Sequence, residues 1–164
     1  MAVWQFKFTI FSRAGLRQRW GNATPQLDEY IERFHGPEWE MPEEPYHNYW
    51  ENNASYAPLC KALASLLPEG EHWADDARFF GSKGGDTIEL WPDDIDIRLT
   101  QNRPNAALLE VIVTICQQYD CQLCLSESGQ LIDPDLATLQ AAIRLSNAAA
   151  FCANPHGYLQ ELGD

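Results

Sequence analysis

Apolar and polar residues alternate most strictly between Thr87 and Leu99. Ile88 and Leu90 alternate with Thr87, Glu89 and Trp91, and Ile95, Ile97 and Leu99 alternate with Asp96 and Arg98. A period of two sends successive side chains to opposite faces of a strand. Between the two runs, Pro92-Asp93-Asp94 supplies a turn, because proline presets φ and aspartate bonds its own backbone two residues on. The stretch predicts a β-hairpin. Its apolar face needs helices over it, and its acidic face is expected to point at water.

The rest of the chain supplies those helices and further strands. Trp4, Phe6, Phe8 and Ile10 alternate with Gln5, Lys7 and Thr9, which predicts a first strand over 3–11. Gly15 and Gly21-Asn22 mark a loop around a basic cluster. Thr24-Pro25 reads as an N-cap and first helical position, with Leu27, Tyr30, Ile31 and Phe34 following at helical spacing as far as 34 or 35. Ser55 precedes an amphipathic stripe of Tyr56, Leu59, Cys60, Leu63 and Leu67, which Pro68 and Gly70 end. Residues 77–80 form a short strand. Asn105 caps an apolar helix over 106–119, expected to be the most buried. A strand over 121–125 turns at Ser128-Gly129, and residues 130–132 pair back. A last helix starts at Asp133-Pro134-Asp135, carries Leu136, Leu139 and Ile143 inward, and stops at Asn154-Pro155, leaving 155–164 as a loose tail. This order predicts a single α+β domain over 1–164, with a small antiparallel or mixed sheet, a central hairpin and three to four helices packed on it.

Residues 36–54 stand apart. They hold three prolines, five glutamates and four aromatics, with no lysine or arginine. The prolines break regular structure, so this is a long acidic-aromatic loop, pinned to the core by its aromatics or exposed to grip a partner.

Charge narrows the function. With 24 acidic and 11 basic residues the net charge is −13, which repels nucleic-acid phosphates and anionic lipid and favours a basic partner. The charge is uneven: residues 1–24 carry Lys7, Arg13, Arg17 and Arg19 and no acid. No run of apolar residues reaches membrane-spanning length and no signal peptide is visible. Five cysteines, an odd number and mostly within apolar runs, fit buried thiols in a reducing compartment, so a cytoplasmic location is expected.

The motifs with chemical potential are weak. Cys121-Gln122-Leu123-Cys124 has metal or redox spacing. On a strand, however, residues three apart face opposite ways, and a second pair of ligands is lacking. His35, His47, His72 and His156 are scattered. Asp93, Asp94 and Asp96 lack the longer oxygen pattern of a calcium loop. Gly81 to Gly85 leads into a strand, whereas a phosphate loop leads into a helix. No pattern calls for a catalytic residue, a cofactor or a metal. What remains is acidity around the hairpin. Glu89, Trp91, Asp93, Asp94 and Asp96, joined by Glu38, Trp39, Glu43 and Glu44 of the loop, are the candidate partner-binding residues, with Trp91 as anchor.

The hairpin opening Gly84-Gly85-Asp86-Thr87-Ile88-Glu89-Leu90, the second strand Ile95-Asp96-Ile97-Arg98 and the closing helix Ser146-Asn147-Ala148-Ala149-Ala150-Phe151 resemble those of small acidic cytoplasmic immunity proteins of bacterial toxin–immunity systems. The resemblance spans about residues 55–155. It implies a non-enzymatic inhibitor that docks on a cognate toxin, a basic domain suiting this chain's acidity, and it carries over no catalytic residue. The basic first 24 residues depart from that pattern. A structural or adaptor subunit, self-associating through a sheet edge or the aromatic loop, and a metal-dependent hydrolase using Asp and His side chains are the alternatives.

Overall fold

The first strand of the chain lies inside the sheet. β1 (Gln5–Ser12) pairs antiparallel with two partners, β5 (Ile95–Thr100) on one side and β6 (Cys121–Leu125) on the other. The computed structural model describes residues 3–23, 26–31, 47–72 and 74–161. Around β1 the sheet is completed by β2 (Glu69–Gly70), β3 (Arg78–Gly81), β4 (Thr87–Leu90) and β7 (Leu131–Ile132), in the order β2-β3-β4-β5-β1-β6-β7. Every neighbouring pair is antiparallel. The fold is α+β with the predicted hairpin, β4–β5, inside the sheet. Both outer strands are only two residues long, which leaves little open edge for pairing with another chain.

The alternation read from the sequence decides which face is covered. Phe6, Phe8 and Ile10 of β1 share a face with Ile88, Ile95, Ile97, Leu99 and Leu123, all buried. Four helices pack there: α2 (Tyr56–Ala64), α3 (Ala106–Gln118), α4 (Leu136–Arg144) and α5 (Asn147–Ala153). They contribute Leu59 and Leu63, Leu108, Ile112 and Cys116, Leu139, and Ala148 to one continuous core. α3 turns a full face to this core but leaves Val111 exposed, so it is amphipathic. A second, smaller cluster lies on the opposite face, where Phe11, Cys124 and Leu131 meet Leu16, Leu27 and Tyr49. Cys121 belongs to the first cluster and Cys124 to the second, the opposed orientation expected of a strand.

Several boundaries differ from the sequence expectation. The basic cluster is a helix, α1 (Arg13–Trp20), where a loop was expected. Ser12 caps it, its Oγ accepting the Gly15 N–H at 3.1 Å. Gly15 serves packing here: a Cβ would lie 1.9 Å from the Tyr49 carbonyl oxygen. The helix expected from Thr24-Pro25 onward reduces to one 3₁₀ turn, Asp28–Tyr30, within the described residues. Leu27 precedes that turn with φ −96° and ψ 83°, outside the helical region, and its N–H donates to the Gly129 carbonyl at 2.8 Å. Ser55 precedes α2 without a side-chain cap bond; the Asn53 carboxamide oxygen accepts the Ser55 N–H instead. Thr24, Pro25 and residues 32–46 of the two predicted segments lie outside the described residues. Of the aromatics in 36–54, Tyr49 and Trp50 are buried, the Trp50 indole N–H donating to the Ile10 carbonyl at 3.1 Å.

The last helix breaks in three. α4 ends at a corner where Leu145 is 88 % exposed. Ser146 starts α5, its Oγ accepting the Ala149 N–H at 3.2 Å. Pro155 opens α6 (Pro155–Glu161) where a stop and a loose tail were expected; proline fits the first helical position, and the Asn154 side chain accepts the Gly157 N–H. Ser146→Ala removes the cap that this buried serine supplies. It is expected to cost about 1 kcal/mol in urea unfolding, and a loss below a few tenths would show that other contacts hold the corner.

Candidate functional site

The hairpin turn is built by its own backbone. The Trp91 N–H donates to the Asp94 carbonyl at 2.9 Å, and the Asp94 Oδ1 accepts the Ile95 N–H at 2.9 Å. α2 clamps it from below: the Tyr56 hydroxyl donates to the Trp91 carbonyl and lies 3.4 Å from that of Asp94. Next to it lie the described residues of the connection from β2 to β3, 71–72 and 74–77. Arg78 pairs with Leu90 and Gly70 with Phe79, so this connection and the 91–94 turn project from the same end of the sheet. They also touch, because the His72 ring meets the Trp91 indole edge-on at 5.0 Å. Glu71, Asp75, Asp76 and Asp93 are all exposed there. The two tips thus bring four exposed carboxylates, none ion-paired among the described residues, to the end of the sheet that holds the half-buried Trp91.

The candidate residues divide along this geometry. Asp93 is exposed at the tip, and Trp91 and Asp94 are half-buried beside it. Glu89 and Asp96 are not at the surface. Glu89 is only 7 % exposed, and the Asp96 side chain 13 %. The expectation that this face of the hairpin points at water is therefore corrected. Glu38, Trp39, Glu43 and Glu44 lie outside the described residues. Glu71, Asp75 and Asp76 show in the sequence only as part of a broad acidic region, and the strand register is what sets them beside Asp93.

Pairing explains why Glu89 and Asp96 can be withdrawn. Lys7 Nζ lies 2.9 Å from Asp96 Oδ2, the Thr9 hydroxyl donates to Asp96 Oδ1 at 2.6 Å, and the Arg98 guanidinium donates to Glu89 Oε1. His72 Nε2 lies 3.6 Å from the other Glu89 oxygen. Across the strands like faces like, Lys7 opposite Arg98 and Glu89 opposite Asp96, an arrangement that costs stability by itself. The diagonal pairs Lys7–Asp96 and Arg98–Glu89 offset it. A charge left alone in such a place would cost several kcal/mol by order of magnitude. Lys7 and Thr9 were legible as the polar side of β1, but their partners depend on the β1–β5 register.

Asp94 sits at the border between this row and the tip. Burial pushes its carboxyl well above the usual range, and the nearby Asp96 charge pushes the same way; the Ile95 N–H and Lys7 oppose them only in part. Burial likewise raises the Asp86 carboxyl, although it accepts the Thr100 N–H. The Cys124 thiol is pushed up to about 12, chiefly by burial, which fits a structural thiol. Among the described residues no group of three or more His, Cys, Asp or Glu side chains is placed to hold a metal ion, and no helix is long and apolar enough to cross a membrane.

What the arrangement can do is electrostatic. Free carboxylates at one end of a chain of charge −13 project a negative field that steers a cationic surface toward them. Family models, curated proteins and solved structures gave no match to this chain.

The folded chain holds the Asp94 proton at pH values where the unfolded chain has released it. Stability from this site is therefore present at low pH and lost as pH rises from about 4 through the folded value. Asp94→Asn removes the charge that desolvation and Asp96 disfavour and keeps an oxygen for the Ile95 N–H. In urea unfolding over a pH series, the variant is expected to be the more stable at pH 7, with the gap closing toward pH 4. A variant less stable than the parent at pH 7 would contradict this.

Proposed function

We propose that this chain is a non-enzymatic binding protein that docks a basic partner on the acidic end of its sheet. More narrowly, we infer an immunity protein that binds and inhibits a cognate bacterial toxin in the cytoplasm. The observation that carries the reading is the convergence of two hairpin tips, which sets Glu71, Asp75, Asp76 and Asp93 at the end of the sheet that holds Trp91. Fixed carboxylates speed encounter with a basic surface, and a tryptophan held by Tyr56 and His72 gives the contact a rigid anchor. The internal use of Lys7 and Arg13 supports the same reading. Lys7 pairs with Asp96, and Arg13 pairs with Asp120 at 2.9 Å and Asp133 at 2.8 Å, so half of the basic N-terminal cluster does not offset the acidic end. The five free cysteines, three of them buried, suit a reducing compartment.

The test uses the whole chain as bait in a lysate of the bacterium that encodes it, at low and at high salt, beside the variant Asp76→Lys/Asp93→Lys. One basic protein is expected in equal amount, weakened by salt, with the variant associating at least about tenfold more slowly. Produced alone, that protein should arrest growth, and co-production of this chain should restore it. Capture that is indifferent to salt and to the charge reversal would overturn the docking surface. A captured protein without toxicity would overturn the immunity reading.

A further inference from the structure

The basic stripe left over on α1 borders a cleft. Arg13, Leu16, Arg17 and Trp20 follow the i, i+3, i+4, i+7 spacing of one helix face. Beside this face is a cleft of about 130 Å³, lined by Arg13, Leu16, Arg17, Asn22, Gln122 and Leu131. An engineered cavity of about 150 Å³ takes a single benzene ring, so this one has room for the end of one side chain. Its wall is mixed. Leu16 and Leu131, both nearly buried, can pack against methylene groups. Its polar residues are Arg13 and Arg17, which only donate, and Asn22 and Gln122, whose carboxamides donate and accept.

The electrostatics single out Arg17. Arg13 is committed to Asp120, Asp133 and the Cys121 carbonyl, and Gln122 donates to Asp133. Asp120 and Asp133 do not line the cleft, and both carboxylates turn to Arg13. Arg17 is exposed and has no ion-pair partner among the described residues. Beyond it the side chains are tied to one another: Arg19 stacks on the Trp20 ring at 5.0 Å and contacts His47 Nδ1 at 3.0 Å, and the Trp20 indole N–H donates to the hydroxyl of the buried Tyr49 at 3.1 Å. Arginine and tryptophan are the residue types that dominate protein interfaces, and order before binding lowers its cost.

We propose that this cleft is an anchor pocket for one carboxylate side chain, a single glutamate on the docking face of the otherwise basic protein partner. Arg17 holds the carboxylate in a two-point grip, Asn22 donates a further hydrogen bond, and Leu16 and Leu131 cover the methylenes. The chain's net charge of −13 works against carboxylates in general, and a site that joins a cation to an apolar wall favours one here and sets the register of docking. The identity of that partner rests on the reading above; the chemistry of the pocket does not.

The experiment titrates the isotope-labelled chain with N-acetylglutamate amide, its neutral glutamine counterpart and inorganic phosphate, followed by NMR. Saturable shifts are expected at the amides of Gly21, Asn22 and Ala23 and at the Arg17 side chain. The neutral compound should bind about tenfold more weakly, phosphate should bind no more tightly than that, and Arg17→Glu should abolish the response while the distant Arg103→Glu keeps it. Equal response to the neutral compound, tighter binding of phosphate, or an unchanged response in Arg17→Glu would overturn the pocket. With a captured partner, Arg17→Glu should speed dissociation and leave association unchanged, the opposite of the charge reversal at the sheet end. A failed capture would sink the toxin reading and leave the titration result standing. A failed titration beside a successful capture would sink the pocket alone.

Discussion

The placement of β1 between β5 and β6 is the constraint on which the rest depends. The first strand of the chain must find one partner almost ninety residues away and another more than a hundred away, as in Thr9 with Asp96 and Phe8 with Leu125. Phe8 and Ile10, wholly buried, carry that insertion on the helical face. Lys7 and Thr9 carry it on the other, where they meet Asp96. Removing β1 would strip partners from both faces at once, and it would separate the β2–β5 half of the sheet from the β6–β7 half.

The same insertion sorts the charges. Inside, a row of like charges facing each other across strands is offset diagonally, so Glu89 and Asp96 are consumed in pairing. Outside, the connections between strands collect Glu71, Asp75, Asp76 and Asp93, which have no such partner among the described residues. The excess negative charge is therefore concentrated on surfaces such as the sheet end rather than spread over the hairpin. Tyr56 and His72 keep that end in one shape, one from the helical layer and one from the neighbouring tip. A preformed charged platform loses little freedom on docking.

Much of this was legible in the sequence, and the parts that were not share a cause. Strict alternation identified β1, β4 and β5 and their apolar faces, because a period-two pattern is a local property. Asn105 and Asp135 announced α3 and α4 for the same reason. The exposure of the hairpin's polar face was misread because burial of Asp96 needs Lys7 and Thr9 of β1, distant in the chain, and burial of Glu89 needs the β4–β5 register that sets Arg98 diagonally beside it, with His72 on its other side. Leu27 is non-helical and bonded to Gly129, a tertiary contact that local spacing does not show, and α1 formed where glycine suggested a loop, with Ser12 as its cap. Pro155 was read as a stop although proline equally opens a helix. The acidic end of the sheet needed the Arg78–Leu90 register, which alternation alone does not supply.

Amide hydrogen exchange of the chain, alone and saturated with its captured partner, tests the central claim most directly. Docking on the acidic end predicts new protection concentrated in residues 71–77 and 91–94, with the exposed side of α3 around Val111 unchanged. Protection over α3 with both tips exchanging as in the free chain would contradict it.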